Sequence, residues 1–173
     1  MRKKVFGVVC ALAFLCACAT CIQDKPLKLD KAARIAVGPV FNRSDSPQAG
    51  SREQEMLFAQ LRARGFAAQE VYRPQQSVEA ADETAEAAIM SDALAWARKQ
   101  GYSLLLCGSV QEWHYKPGLE GQPAVGLSIN AVDVSSGLAV WTASGAKTGW
   151  GRDSLSGTAQ ALSGKLLGGL KFK

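Results

Sequence analysis

A single histidine, His114, is all the imidazole this 173-residue chain has, and that scarcity removes the commonest acid–base and metal chemistries. A nucleophile triad or a catalytic zinc site needs further groups gathered around its histidine. His114 instead sits in the strand-like run Glu112-Trp113-His114-Tyr115-Lys116, with no recognisable nucleophile motif in the chain. It reads as a structural or exposed residue. Gly164-Lys165 echoes the end of a phosphate loop, but Ala159 stands where that motif requires glycine and Leu166 replaces its Ser or Thr. Asp82-Glu83 and Glu53 with Glu55 are acidic pairs at or near helix starts, where carboxylates favour the dipole. The expectation is a binding or structural protein and not an enzyme, with no catalytic residue, no metal and no cofactor.

A membrane-spanning helix is also missing. The apolar run over residues 5–15, behind the basic start Met1-Arg2-Lys3-Lys4, has eleven residues, too few to cross a bilayer. Its layout is that of a secretory signal peptide. Excess charge is scarce once that segment is set aside: losing Arg2, Lys3 and Lys4 lowers the net charge from +5 to +2. No Lys/Arg cluster interleaved with aromatics remains, so no nucleic-acid partner is expected. The 156 residues from Cys18 onward suit one domain with a core of its own.

Cysteine is sparse where it would matter for folding. Of five, Cys10 and Cys16 belong to the leader, and Cys16-x-Cys18-x-x-Cys21 has metal-like spacing without a folded scaffold to hold it. Cys107, in Leu104-Leu105-Leu106-Cys107-Gly108, reads as a small buried apolar side chain. Its pairing with Cys21 is disfavoured for a buried strand residue.

What is present begins at Leu15-Cys16-Ala17-Cys18, which resembles the lipobox of bacterial lipoproteins. The resemblance implies that Cys18 becomes the acylated first residue of the mature chain, anchored to a membrane without spanning it, since two acyl chains hold where one does not. Cys21 is the poorer candidate because Thr20 precedes it. Ala19 after the lipidated cysteine, in place of Asp, implies the outer membrane. The expected domain plan is therefore a signal peptide over residues 1–17, a lipidated tether over 18–31, and a single α/β domain over 32–173.

Along that domain, residues 34–41 are a β-rich run ended by Asn42-Arg43-Ser44-Asp45-Ser46-Pro47. Met56, Leu57, Gln60, Leu61 and Arg64 recur near a period of 3.6, with Ser51 and Gln54 suiting a helix start and Gly65 its left-handed end. Residues 66–72 suggest a second strand. Residues 84–100 form a second amphipathic helix in which Trp96 packs into the core. From Ser103 the period becomes two: residues 104–116, 125–134 and 138–146 read as antiparallel strands, the second with Val125, Leu127, Ile129 and Ala131 on one face and Gly126, Ser128 and Asn130 on the other. Ser135-Ser136-Gly137 is a hairpin loop. Asp153 or Ser154 caps a last helix with the stripe Leu155, Ala159, Leu162, Leu166 and Leu170. The order β-α-β-α-β-β-β-α predicts an α/β fold with a mixed five-stranded sheet and helices packed on it.

Three features favour an assembly. Gly164-x-x-x-Gly168 has close-packing spacing, Trp150 lies between Gly149 and Gly151, and the hairpin tip at residues 116–123 presents Glu120.

Gly108-Ser109-Val110-Gln111-Glu112-Trp113-His114-Tyr115-Lys116, Gly118-Leu119-Glu120-Gly121, Asp133-Val134-Ser135-Ser136-Gly137, Val140-Trp141-Thr142 and Gly149-Trp150 resemble the PelC family, outer-membrane lipoproteins of Pel exopolysaccharide export. The likeness covers about residues 34–170 and is most specific over 101–155. It implies a homo-oligomeric, lipid-anchored ring on the periplasmic face of the outer membrane, working with the β-barrel exporter PelB and guiding a cationic polysaccharide through an electronegative pore. On that resemblance Trp150 is the membrane-contacting residue and Glu120 the pore-facing acid. Carboxylates lining a narrow opening concentrate a cationic polymer without holding it fast. A second reading is a monomeric lipoprotein that activates a peptidoglycan synthase. That role needs a long tether, and residues 18–31 reach at most about 3.5 Å each.

Overall fold

The computed structural model describes residues 19–30, 32–66, 70–75, 82–118 and 121–172. In chain order the elements are β1 (Ala19–Gln23), β2 (Leu27–Leu29), β3 (Ile35–Asn42), α1 (Ala49–Ala63), α2 (Glu83–Lys99), β4 (Leu104–Tyr115), β5 (Pro123–Asp133), β6 (Ala139–Thr148), α3 (Leu155–Leu166), a single 3-10 turn (Leu167–Gly169) and β7 (Leu170–Phe172). The main sheet has five strands in the order β1-β6-β5-β4-β3, and β2 pairs with β7 in a separate ribbon. Only β3 and β4 are parallel within the main sheet; the other neighbours are antiparallel. The expected mixed five-stranded α/β architecture is the one observed.

The apolar pattern explains which face each helix takes. Alternation along β4 sends Leu104, Leu106 and Val110 to one side, where Leu57 and Leu61 of α1 and Leu162 and Leu166 of α3 cover them. Leu105 and Cys107 point to the other side, against Ala93 and Ala97 of α2. β3 is buried along its whole length because helices cover both its faces, as a parallel strand requires. Trp96 packs against this second cluster, its ring 5.4 Å from Tyr72 and 5.6 Å from Tyr102. Cys21 packs on the α1/α3 side and Cys107 on the α2 side, so the sheet separates them, and both are free thiols. Burial raises the Cys107 thiol to about 12, which leaves it an inert apolar side chain.

Several local expectations are corrected. Residues 18–31 read as a tether without periodicity, yet β1 and β2 lie within them. β1 has only two inward residues, Ala19 and Cys21, too few to register as a pattern. The strand expected over 66–72 is reduced, among its described residues, to one parallel bridge between Val37 and Val71. The last helix stops at Leu166, and Leu170 belongs to β7. At α1, Ser51 and Gln54 do not form a cap. The helix starts earlier, from Gln48 at φ 62°, and Gly50 lies so close to β3 that a Cβ there would be 2.3 Å from the Val40 carbonyl oxygen. Gln54 is used for tertiary structure instead. A register shift between Val37 and Val40 leaves Gly38 off the β3–β4 ladder, and the Gln54 amide donates to the Gly38 and Tyr72 carbonyls at 2.6 and 2.9 Å.

α1 is tied to α3 through polar contacts. Gln60 donates to the Ser163 hydroxyl at 2.7 Å, and Arg64 donates to the Leu167 and Gly164 carbonyls at 2.8 and 2.7 Å, satisfying the open C-terminal end of α3. Gly164 makes room for this contact, with a hypothetical Cβ 3.1 Å from Gln60 Oε1. The close-packing spacing at Gly164 is thus used within the chain.

Glu53, also on α1, is 1 % exposed, and neither carboxyl oxygen has a hydrogen-bond partner among the described residues. Burial raises its pKa to about 8, and Ser163 opposes this only weakly because its hydroxyl donates to the Ala159 carbonyl at 2.9 Å. Between its ordinary value of 4.5 and about 8 the folded chain keeps a proton that the unfolded chain releases. Stability from this group is therefore greatest at acid pH and falls as pH rises through that window. Glu53→Gln removes the titration. In urea unfolding, its stability relative to the parent is expected to rise between pH 5 and pH 8 by up to about 1.4 kcal/mol per pH unit; a constant difference contradicts the assignment.

Candidate functional site at the hairpin end of the sheet

Strand directions bring three segments to one end of the main sheet. β4 and β6 both run antiparallel to β5, so their C-termini share an end, and β1, antiparallel to β6, starts there. The register pairs Ala19 with Lys147. The residue next to Cys18 in sequence therefore lies three positions before Trp150 across the β1–β6 pair. Cys18 and Glu120 themselves lie outside the described residues. The flanks of Glu120 are described: Gly118 and Gly121 have φ of 144° and 51°, and the Lys116 amide donates to the Gln122 carbonyl at 2.8 Å, closing the hairpin. The described flanks of this hairpin thus lie at the same end as Trp150.

The segment carrying Trp150 is held by its backbone. The Gly149 amide donates to the Pro123 carbonyl at 2.8 Å, the Trp150 amide donates to Asp153 Oδ2 at 2.8 Å, and the Asp153 amide donates back to the Trp150 carbonyl at 2.8 Å. Ser154 caps α3, accepting from the Gly157 amide at 3.0 Å. Gly149 lets the first turn of α3 press onto the end of β6: a Cβ there would lie 2.7 Å from Thr158 Oγ1 and 2.8 Å from both Asp153 Oδ2 and Pro123 Cγ. The turn leaves the indole outside the core, 52 % exposed, and Tyr115 on the same end is 50 % exposed.

Basic groups collect around this end. Lys116 donates to Thr148 Oγ1 at 2.9 Å and Lys165 to the Ala19 carbonyl at 3.2 Å, with Lys147 on β6 and Arg152 in the turn. None of the four forms an ion pair among the described residues. His114 is half exposed, its Nε2 3.5 Å from Glu112 Oε1. No group of three His, Cys, Asp or Glu among the described residues could hold a metal ion, and no described helix is long and apolar enough to cross a membrane. The geometry offers a wet aromatic and cationic rim beside Ala19, a surface suited to contact. Sequence reasoning singled out Trp150 through its flanking glycines but not Lys147 and Lys165, whose position at the same end appears only once β1 is placed.

No family model matches the sequence, and no curated protein matches it. Solved structures do. The lipoprotein GNA1162 from Neisseria meningitidis has a TM-score of 0.51 at 18% identity, covering 79% of this chain and 96% of that one. The chain therefore has an α/β fold found in bacterial lipoproteins. A much nearer match is PelC from Paraburkholderia phytofirmans, solved as a dodecamer: 33% identity and a TM-score of 0.76, covering 90% of this chain and 99% of that one. A single-substitution variant of that dodecamer gives 32% and 0.77, covering 90% and 100%. The chain belongs to the PelC family.

Gly149→Ala is expected to destabilise the fold by about 1–3 kcal/mol in urea unfolding, because the packed side chains of Thr158, Asp153 and Pro123 must shift. Gly168→Ala, with nothing within 4 Å of its Cβ, is expected to stay within about 0.5 kcal/mol of the parent.

Proposed function

We propose that the chain is a lipid-anchored subunit of a periplasmic ring at the outer membrane, which guides the cationic Pel polysaccharide to a PelB-like β-barrel exporter. The anchor is acylated Cys18, after removal of residues 1–17. The observation that carries this reading is the pairing of Ala19 with Lys147. It brings Ala19, the neighbour in sequence of the proposed lipid attachment point, the exposed Trp150 and the cations of Lys116, Lys147, Arg152 and Lys165 to one end of the domain. Tryptophan prefers the headgroup region, and each cation near an anionic lipid surface contributes about 1 kcal/mol. Acyl chains, indole and cations would all meet the same bilayer.

The described flanks of the hairpin, Lys116 and Gln122, lie at this end too, which supports Glu120 between them as the acid at the mouth of the pore nearest the exporter. The dodecameric state of the similar PelC supports a ring. A carboxylate repeated around a ring makes a strong local field from a chain that is slightly basic overall. The synthase-activator reading loses support because β1 begins at Ala19, leaving no free length between Cys18 and the sheet.

Three measurements test the proposal. Cys18→Ser is expected to abolish incorporation of labelled palmitate in cells and to release the protein from the outer-membrane fraction; unchanged labelling contradicts lipidation at Cys18. Trp150→Ala is expected to weaken binding of the unacylated chain to phospholipid vesicles about tenfold, with equal binding overturning the contact. Glu120→Gln is expected to reduce polysaccharide export several-fold at unchanged protein level and assembly, and wild-type export removes Glu120 from the path.

A further inference from the structure

We infer that the half of the sheet left bare by α2 is the seat of a second copy of this chain, an inference that rests on the ring reading and assigns one of its contact surfaces. α2 packs over β3 and β4, where Ala36, Leu105 and Cys107 meet it, and reaches the C-terminal end of β5 at Val132. Beyond that helix, the outward positions of β1, β6 and β5 line up in two rows. The register aligns Thr20 with Ala146 and Gly126, and Ile22 with Ser144 and Ser128.

These six side chains are small or uncharged. A sheet edge facing water is ordinarily guarded by charges, lysine above all. Here the most exposed large apolar residue of the set, Ile22, stands on the edge strand itself at 78 %. A shallow concavity of about 430 Å³ runs beside it between β1 and β4, and its charged boundary is Glu112. A charge-depleted centre with charge at the rim is the anatomy of a protein interface.

Direction identifies the occupant. The end of the strands carries Trp150 and Ala19, so with the proposed anchor the strands point at the membrane and the bare face points sideways. A copy seated on that face lies beside the first in the membrane plane, and every anchor stays on the same bilayer. A similar chain that covers nearly its whole length is a dodecamer. In a closed ring the contact is heterologous, so this face meets a different surface of the next copy.

Native mass measurement on the full lipidated chain in detergent tests this. The parent is expected to be an oligomer, and Ile22→Asp and Ser144→Asp are expected to fall to single subunits with an unchanged circular dichroism spectrum. Leu138→Asp, on a residue 67 % exposed beyond the other end of β6, is expected to keep the parent's mass. Oligomers of parental mass in both face variants overturn this assignment and leave the ring intact, whereas a monomeric parent overturns the ring and the face with it. Ile22→Cys probes the same face without adding charge: maleimide is expected to modify it at least tenfold more slowly in the oligomer than after dilution to subunits, and equal rates overturn the proposal.

Discussion

Burial of one face of the main sheet under α1 and α3 is the interaction on which the rest depends. Leu57 and Leu61 from α1 and Leu162 and Leu166 from α3 are shielded from water there, together with the inward residues of every strand from β3 to β6. At about 25 cal/mol per Å² of apolar area, no other contact in the molecule approaches this one. The polar ties between the two helices, Gln60 to Ser163 and Arg64 to the end of α3, set their spacing and are secondary in energy. They matter because they fix the C-terminal end of α3 against α1, just before the chain turns into β7.

The opposite face is served unequally. α2 covers the parallel part of the sheet, and the antiparallel part has no helix. The asymmetry follows from connectivity: the helical segments between β3 and β4 have two sides to fill, while hairpins join β4, β5 and β6 and supply nothing to lay across them. A fold of this order must either decorate its bare strands with charge or give them a neighbour. The serines, glycine and alanine at those positions belong to the second solution.

Much of this was legible in the sequence. The strands β3 to β6 are long and regular, and the two-residue period of β5 marked its buried and bare faces without a structure. The helices announced themselves by spacing, and Gly65 and Gly137 by their place, with φ of 80° and 73°. β1, β2 and β7 were not legible. Strands of three to five residues carry too few alternations to stand out, and their pairing partners lie at the far end of the chain. Gln54 escapes a sequence reading for a related reason: its type suits a cap, but the vacant Gly38 carbonyl that it reaches is a product of tertiary structure. Trp150 could be singled out from its flanking glycines, whereas the cations around it could be grouped only after Ala19 had been set beside Lys147.

The placement of β1 and β2 also orders events in time. Ala19–Gln23 must wait for β6, and Leu27–Leu29 for β7 at Leu170–Phe172, so both ends of the chain are stitched by its most distant contacts. Such contacts form late, because loop closure precedes any gain from them. A chain crossing a membrane N-terminus first would hold its first strands unpaired until its final residues had emerged. During that interval Ala19–Gln23 would lack its partner strand, so the proposed acylation would act on a segment not yet built into the sheet, and β1 would close the sheet last.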